Sequence, residues 1–182
     1  ADDYVASAHV VDNYYEVFEP NMISNMIWCY APNVSYEHGE GWNEEDFSVF
    51  GVATDTVGPP RGEKSWSRPY PRAMSGKPVT MHFYSIYHEW DPTQGVVNPE
   101  REFYLEMESK ESEAPTEIYV PELAQYYNGF YVWISDGRCT YDYENYILYW
   151  YPEKDTPGVN HKLFIRPPYP DRQNYDDELG EW

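Results

Sequence analysis

Positive charge is scarce in this chain. Lysine and arginine together number 12 against 32 aspartates and glutamates, a formal net charge of −20 over 182 residues. Such a surface repels phosphate backbones and anionic lipid headgroups, so no nucleic-acid partner is expected. Cysteine is scarce too. Cys29 and Cys139 are the two present, too few for a disulfide framework. They could pair with each other, pair with another chain or remain thiols, and spacing leaves all three open. Cys29 sits in an apolar stretch, where a buried thiol is common. No apolar run approaches the roughly 20 residues that span a bilayer, so the chain is not expected to be transmembrane. There is no Gly-x-Ser-x-Gly elbow, no Cys-x-x-Cys pair, no phosphate loop and no internal repeat. His9, His38, His82, His88 and His161 show no convergent metal spacing, so neither a metal nor a cofactor is expected. His38, flanked by Glu37 and Glu40, reads as exposed loop polarity.

Aromatic residues, by contrast, are abundant. They make up 19% of the chain, including 20 Tyr and 7 Trp, and a disordered chain is poor in such residues. High Tyr and Trp with few Lys suits an extracellular protein that handles sugars. Aromatic faces stack on the apolar faces of sugar rings, while carboxylates and amides bond the hydroxyls. Asn33-Val34-Ser35 is an N-glycosylation sequon. With the composition, it points to a secreted or lysosome-like lumenal protein. Ala1 opens directly into an acidic helix, so the start is expected to be a processed one.

The hydrophobic pattern divides the chain. Residues 3–19 read as a helix with Val5, Ala8, Val11, Tyr15 and Phe18 on one face, Asp2 or Asp3 as its cap and Glu19-Pro20-Asn21 as its stop. The apolar run Met22 to Tyr30 reads as a buried strand, and residues 31–50 as a polar, aromatic loop. One helix and one strand cannot bury a core, so partners are expected elsewhere. After about residue 70 the pattern changes to short alternating strands around 79–84, 103–108, 116–120, 130–135, 145–151 and 162–166. Turns at Asn128-Gly129, Asp136-Gly137 and Thr156-Pro157-Gly158 separate several of them. This is the signature of an antiparallel sandwich. Gly58-Pro59-Pro60-Arg61-Gly62 reads as a linker, and residues 170–182 as an acidic, exposed tail onto which Trp182 could dock. Tyr141, Tyr143, Tyr146, Tyr149 and Tyr151 read as a partly packed strand face, with a carbohydrate- or lipid-facing platform as the functional alternative.

Two stretches carry a resemblance. Ile27-Trp28-Cys29-Tyr30-Ala31-Pro32-Asn33, followed by Gly39-Glu40-Gly41-Trp42-Asn43-Glu44-Glu45-Asp46-Phe47-Ser48, resembles the end of the eighth barrel strand and its loop in endoglycoceramidases. These and related glucosylceramide-cleaving enzymes belong to glycoside hydrolase family 5. Ser67-Arg68-Pro69-Tyr70-Pro71-Arg72-Ala73-Met74-Ser75-Gly76-Lys77-Pro78 resembles that family's link from barrel to C-terminal sandwich, and Pro115 to Pro121 also fits. The fold implied is α/β plus all-β. Residues 1–57 would be the final helix–strand unit of a (β/α)8 barrel completed by another chain. Residues 58–66 would be the linker, 67–169 the antiparallel β-sandwich and 170–182 the tail.

The resemblance also implies a retaining mechanism with two glutamates about 5 Å apart. Both would precede Ala1, the nucleophile by a short loop, so no catalytic residue is expected in this chain. Trp28 matches the tryptophan beneath the sugar at the cleavage point. Tyr30, Trp42 and Asn43 would contact substrate, while Glu44 and Asp46 would structure the loop. Glu45 and Asp46 are not a catalytic pair, because adjacent side chains seldom aim at one bond. The implied partners are an N-terminal catalytic chain of the same precursor and a glycolipid or β-glycoside substrate. The competing readings are a non-catalytic glycolipid-binding or storage module derived from such an enzyme, and a free-standing sandwich with an unrelated helical start.

Overall fold

The computed structural model describes residues 4–31, 47–50, 52–53, 56–57, 60–88, 100–153, 158–168 and 180–181. Helix α1 runs Val5–Phe18. A two-stranded hairpin, β1 (Val52–Ala53) with β2 (Thr56–Val57), and the short helix α2 (Glu63–Trp66) follow. Then come β3 (Tyr70–Ala73), β4 (Gly76–Tyr84), β5 (Glu102–Lys110), β6 (Thr116–Tyr119), α3 (Glu122–Gln125), β7 (Tyr131–Ile134), β8 (Arg138–Asp142), β9 (Ile147–Tyr151), β10 (His161–Arg166) and β11 (Gly180–Glu181).

The strands after residue 70 form two antiparallel sheets. One has the order β11-β7-β10-β5-β4, the other β3-β6-β9-β8. The pleat explains the layering. On β5, Phe103, Leu105 and Met107 point inward and are fully buried, while Tyr104 and Glu106 alternate outward. Leu163 and Ile165 do the same on β10, and Ile118, Leu148 and Trp150 close the core from the second sheet. Burying each large apolar side chain of this kind contributes about 1.5–3 kcal/mol. The expected strands at 79–84, 103–108, 116–120, 130–135, 145–151 and 162–166 are all present. β3 and β8 add to them, and β11 in the tail pairs with β7.

At Asp136-Gly137 the chain crosses from one sheet to the other rather than turning a hairpin, since β7 and β8 lie in different sheets. Asp136 fastens this corner. Its carboxylate accepts hydrogen bonds from His161 Nδ1 (2.8 Å), Ser135 Oγ (2.7 Å) and the Glu153 N–H (2.7 Å), and its carbonyl accepts one from Trp150 Nε1 (3.0 Å). Burial alone would raise the Asp136 pKa, but the bonds from His161, Ser135 and Glu153 outweigh it and hold the group below the ordinary carboxylate range. A depressed folded pKa means the stabilisation is complete above the unfolded value, near 4, and is lost as pH falls through the folded one. Asp136→Asn is therefore expected to lower unfolding free energy at pH 7 by about 1–2 kcal/mol. The gap to wild type should close below pH ~4, as followed by urea unfolding across pH.

In the N-terminal part the expected helix is present, and the expected strand is not. Tyr4 stands at the N-cap of α1 and makes no side-chain cap bond; Asp2 and Asp3 lie outside the described residues. Of the apolar face predicted from spacing, Ala8 is buried and Val5 is exposed, with Val11, Tyr15 and Phe18 between. The buried stripe runs along that same side through Ala8, Asp12 and Glu19. The run Met22 to Tyr30 forms no strand: among the described residues it joins no ladder, and Met26 is 97% exposed. A strand buried on both faces needs neighbours on both edges and cover above and below, and no described element supplies them. The segment at 60–66 packs closely on α1: a Cβ at Gly62, where φ is +60°, would sit 3.7 Å from Ala8 Cβ. No helix among the described residues is long and apolar enough to cross a membrane.

Candidate functional site

The candidate site follows from how residues 27–31 are held. Val49 N–H donates to the Cys29 carbonyl (2.9 Å), Ala31 N–H donates to Ser48 Oγ (2.9 Å), and Arg61 N–H donates to the Val49 carbonyl (2.8 Å). Arg61 Nη1 also donates to the Ser48 carbonyl at 3.2 Å. These bonds fix a ledge on which Trp28 and Tyr30 are 65% and 64% exposed. Tyr30 rests edge-on against Phe50 at 5.4 Å. A cavity of about 300 Å³ opens at this ledge, lined by Ile27, Trp28, Phe47, Val10, Val11 and Trp66 among others. Its lining is mostly apolar, with Arg61 and three serines among the walls, and Trp28 contributes an aromatic surface to it. A second, larger cleft of about 730 Å³ is lined by Tyr15, Ile23, Trp66, Tyr70, Tyr119 and Arg72; Trp28 is not among its walls.

The structure thus puts Trp28 and Tyr30 on one ledge. Asn33, Trp42, Asn43, Glu44 and Asp46 lie outside the described residues, as does His38. Cys29 and Cys139 are not joined: both are thiols. Cys139 packs against the sandwich core, and burial pushes its thiol up to about 12, so it is a weak nucleophile. The tyrosine run divides. Tyr141 packs on Phe130 at 5.0 Å and donates to Glu122 Oε2 at 3.0 Å, while Tyr143 is exposed.

Behind the ledge, α1 is bolted to the sandwich by charge. Arg68 is buried and donates to Asp12 Oδ1, to Glu19 Oε1 (2.9 Å), to the Phe83 carbonyl (3.1 Å) and to the Ser65 carbonyl (2.7 Å). Its guanidinium also lies 4.3 Å from the Tyr15 ring centre. Ser85 Oγ donates to Asp12 Oδ1 (2.5 Å), and Phe83 N–H donates to Glu19 Oε2 (2.8 Å). Burial raises the Glu19 pKa despite the opposing pull of Arg68.

Beside this knot lies a cluster that sequence spacing missed. Glu16, His82 and His88 bring their ligand-capable atoms within 4.8 Å of one another. Burial lowers the His82 pKa, against the opposing effect of Glu16. The expectation that no histidines converge is corrected here, because the third member comes from α1.

Residues 68–165 match the glycoside hydrolase family 5 C-terminal domain. The chain belongs to that family. This carboxy-terminal domain is 26% identical over 174 residues to a glucosylceramidase of Rhizopus delemar, covering 86% of this chain and 24% of that protein. Its fold matches the crystal structure of Cryptococcus neoformans sterylglucosidase 1 with a TM-score of 0.70 at 21% identity, covering 91% of this chain and 25% of that one. Endo-glycoceramidase II from Rhodococcus sp. matches over 58% of this chain with a TM-score of 0.38. The domain therefore spans about a quarter of the length of the first two relatives.

Proposed function

We propose that this domain is the C-terminal part of a secreted or lysosome-like lumenal retaining β-glycosidase that cleaves a β-linked sugar from a ceramide-like lipid. In this reading residues 1–57 complete a (β/α)8 barrel, with 58–66 as the link and 67–169 as the bracing sandwich. Both catalytic glutamates come from a separate N-terminal catalytic chain. Trp28 is the aromatic floor beneath the sugar, Tyr30, Trp42 and Asn43 are further substrate contacts, and Glu44 and Asp46 structure the loop. Asn33 carries the glycan.

One observation carries the reading: large apolar side chains on α1 and on the segment after it stand exposed. Val10, Tyr14 and Val17 lie four and three residues apart on α1 and are all more than half exposed, and Ile23, Met26, Ile27 and Trp28 continue the exposure. An isolated soluble domain seldom leaves such a face open. Further barrel strands would cover it and would make residues 22–30 the strand that their apolarity predicts. The names of the relatives, a glucosylceramidase and a sterylglucosidase, support a glucoside of a lipid as substrate.

The test uses the natural assembly with glucosylceramide and a steryl glucoside as parallel substrates. Turnover of glucosylceramide is expected, with Trp28→Ala reducing kcat/KM about ten- to a hundredfold, or about 1.4–2.8 kcal/mol of transition-state stabilisation. A denaturing gel should resolve a second polypeptide. Preference for the steryl glucoside would replace the ceramide with a sterol. Binding of glucosylceramide without any turnover would favour the non-catalytic module, and one long polypeptide would remove the two-chain element.

A further inference from the structure

The last turns of α1 face the end of β4 across the cluster of Glu16, His82 and His88. We propose that these three residues bind a divalent transition cation of the zinc type, clamping α1 to the five-stranded sheet. Glu16 stands between the two imidazoles: Oε2 lies 3.4 Å from His82 Nε2, and Oε1 accepts from His88 Nδ1 at 2.9 Å. Zinc bonds to nitrogen and oxygen are about 2.0–2.2 Å, which sets tetrahedral ligand atoms about 3.4 Å apart. A spread of at most 4.8 Å closes to that with side-chain adjustment of about 1 Å. Two imidazoles and one carboxylate with a fourth position open to water are a zinc donor set, whereas magnesium and calcium prefer oxygen alone.

Three further features fit a cation rather than a plain hydrogen-bonded knot. The first is the far side of His82. Its Nδ1 is buried without a hydrogen-bond partner and lies 3.7 Å from Glu19 Oε2. A metal-bound histidine typically donates its second N–H to a carboxylate. A cation on Nε2 fixes the proton on Nδ1, where a small ring movement delivers it to Glu19. The second is orientation. The Tyr84 ring packs edge-on against His82 at 4.2 Å and His88 at 4.9 Å, holding both imidazoles. The third is charge. Asp12, Glu16 and Glu19 supply three carboxyl groups against the single guanidinium of Arg68, a surplus of acid that a bound cation would offset. On binding, the proton His88 Nδ1 shares with Glu16 leaves that nitrogen for Nε2 or solvent.

The full protein carrying this chain, stripped with a chelator, is titrated with Zn²⁺ against a chromophoric indicator, and the 1:1 complex is examined by zinc-edge X-ray absorption. One ion is expected, with two imidazoles in its shell. Affinity should fall at least tenfold in His82→Gln, His88→Gln and Glu16→Gln, while His161→Gln keeps it. The thermal midpoint should rise with Zn²⁺ in wild type and lose that rise in the three variants. No stoichiometric ion, a shell lacking two imidazoles, or equal affinity in all variants would overturn the site. The absorption spectrum needs wild type alone, so it decides even if a variant fails to fold.

Discussion

Arg68→Met is expected to destabilise the protein by about 3–5 kcal/mol, the range for removing one partner of a buried ion pair. The reason is what stays behind. Asp12 and Glu19 have carboxylate side chains only 2% exposed, and without the guanidinium no lysine or arginine among the described residues pairs with them. The Phe83 and Ser65 carbonyls also lose their donor. Methionine fills the volume, so the loss reflects charge and hydrogen bonding rather than a cavity. Two companions sharpen the prediction. Glu19→Gln alone should cost less than Arg68→Met, because Glu19 is already pushed towards its neutral form and glutamine keeps an acceptor for the Phe83 N–H. The triple variant Asp12→Asn, Glu19→Gln, Arg68→Met should recover much of the loss, since neutralising all members removes the stranded charges. Urea unfolding of the four proteins at pH 7 checks the order. Arg68→Met within 1 kcal/mol of wild type would refute the bolt.

Gly137→Ala should cost about 2–4 kcal/mol, more than a surface glycine normally allows, by adding backbone strain to overpacking. Gly137 has φ +82°, where a side chain is disfavoured. A Cβ there would also press into the Tyr151 carbonyl oxygen and stand 2.9 Å from Pro152 Cα. Both obstacles are backbone, so no rotamer change relieves them. The corner would have to open, pulling β8 from its register with β9 and loosening the Trp150 bond to Asp136. Thermal unfolding of Gly137→Ala beside Gly158→Ala separates the two causes. Gly158 has a similar φ of +76° with nothing within 4 Å of a built Cβ, so it measures strain without the clash and should lose less.

These effects show which parts of the fold were legible in the sequence. β5 and β10 declared themselves, because alternation of core and surface residues is local information. β3 did not: Pro71 within Tyr70–Ala73 reads as linker chemistry, yet an edge strand tolerates proline where its N–H would point away from the sheet. β8 did not either, since Arg138–Asp142 is short and mostly polar. The inner face of α1 is legible in the sequence: Ala8, Val11, Tyr15 and Phe18 turn inward, buried or half-buried, and only Val5 stands exposed. Apolar spacing does not show that this face is centred on acid, Asp12 and Glu19 awaiting Arg68. The burial expected for residues 22–30 failed because burial is not a property of a segment but of what covers it. The zinc-type cluster was invisible to spacing because Glu16 joins His82 and His88 only through the docking of α1. Trp28 and Tyr30 lie together, whereas Trp42, Asn43, Glu44 and Asp46 fall outside the described residues.

The sheet order has one more consequence. An unguarded margin invites another polypeptide to add as an extra strand. In the five-stranded sheet one margin is β4, which carries Lys77 and Pro78, and beyond β7 the register is taken by Gly180 and Glu181. In the other sheet Pro71 interrupts the donor row of marginal β3. A companion polypeptide therefore gains little by strand augmentation at these three margins. Besides the β8 margin, what remains inviting is the exposed apolar side-chain surface of α1 and the Trp28 ledge, which favours packing through side chains at the amino-terminal end of the domain.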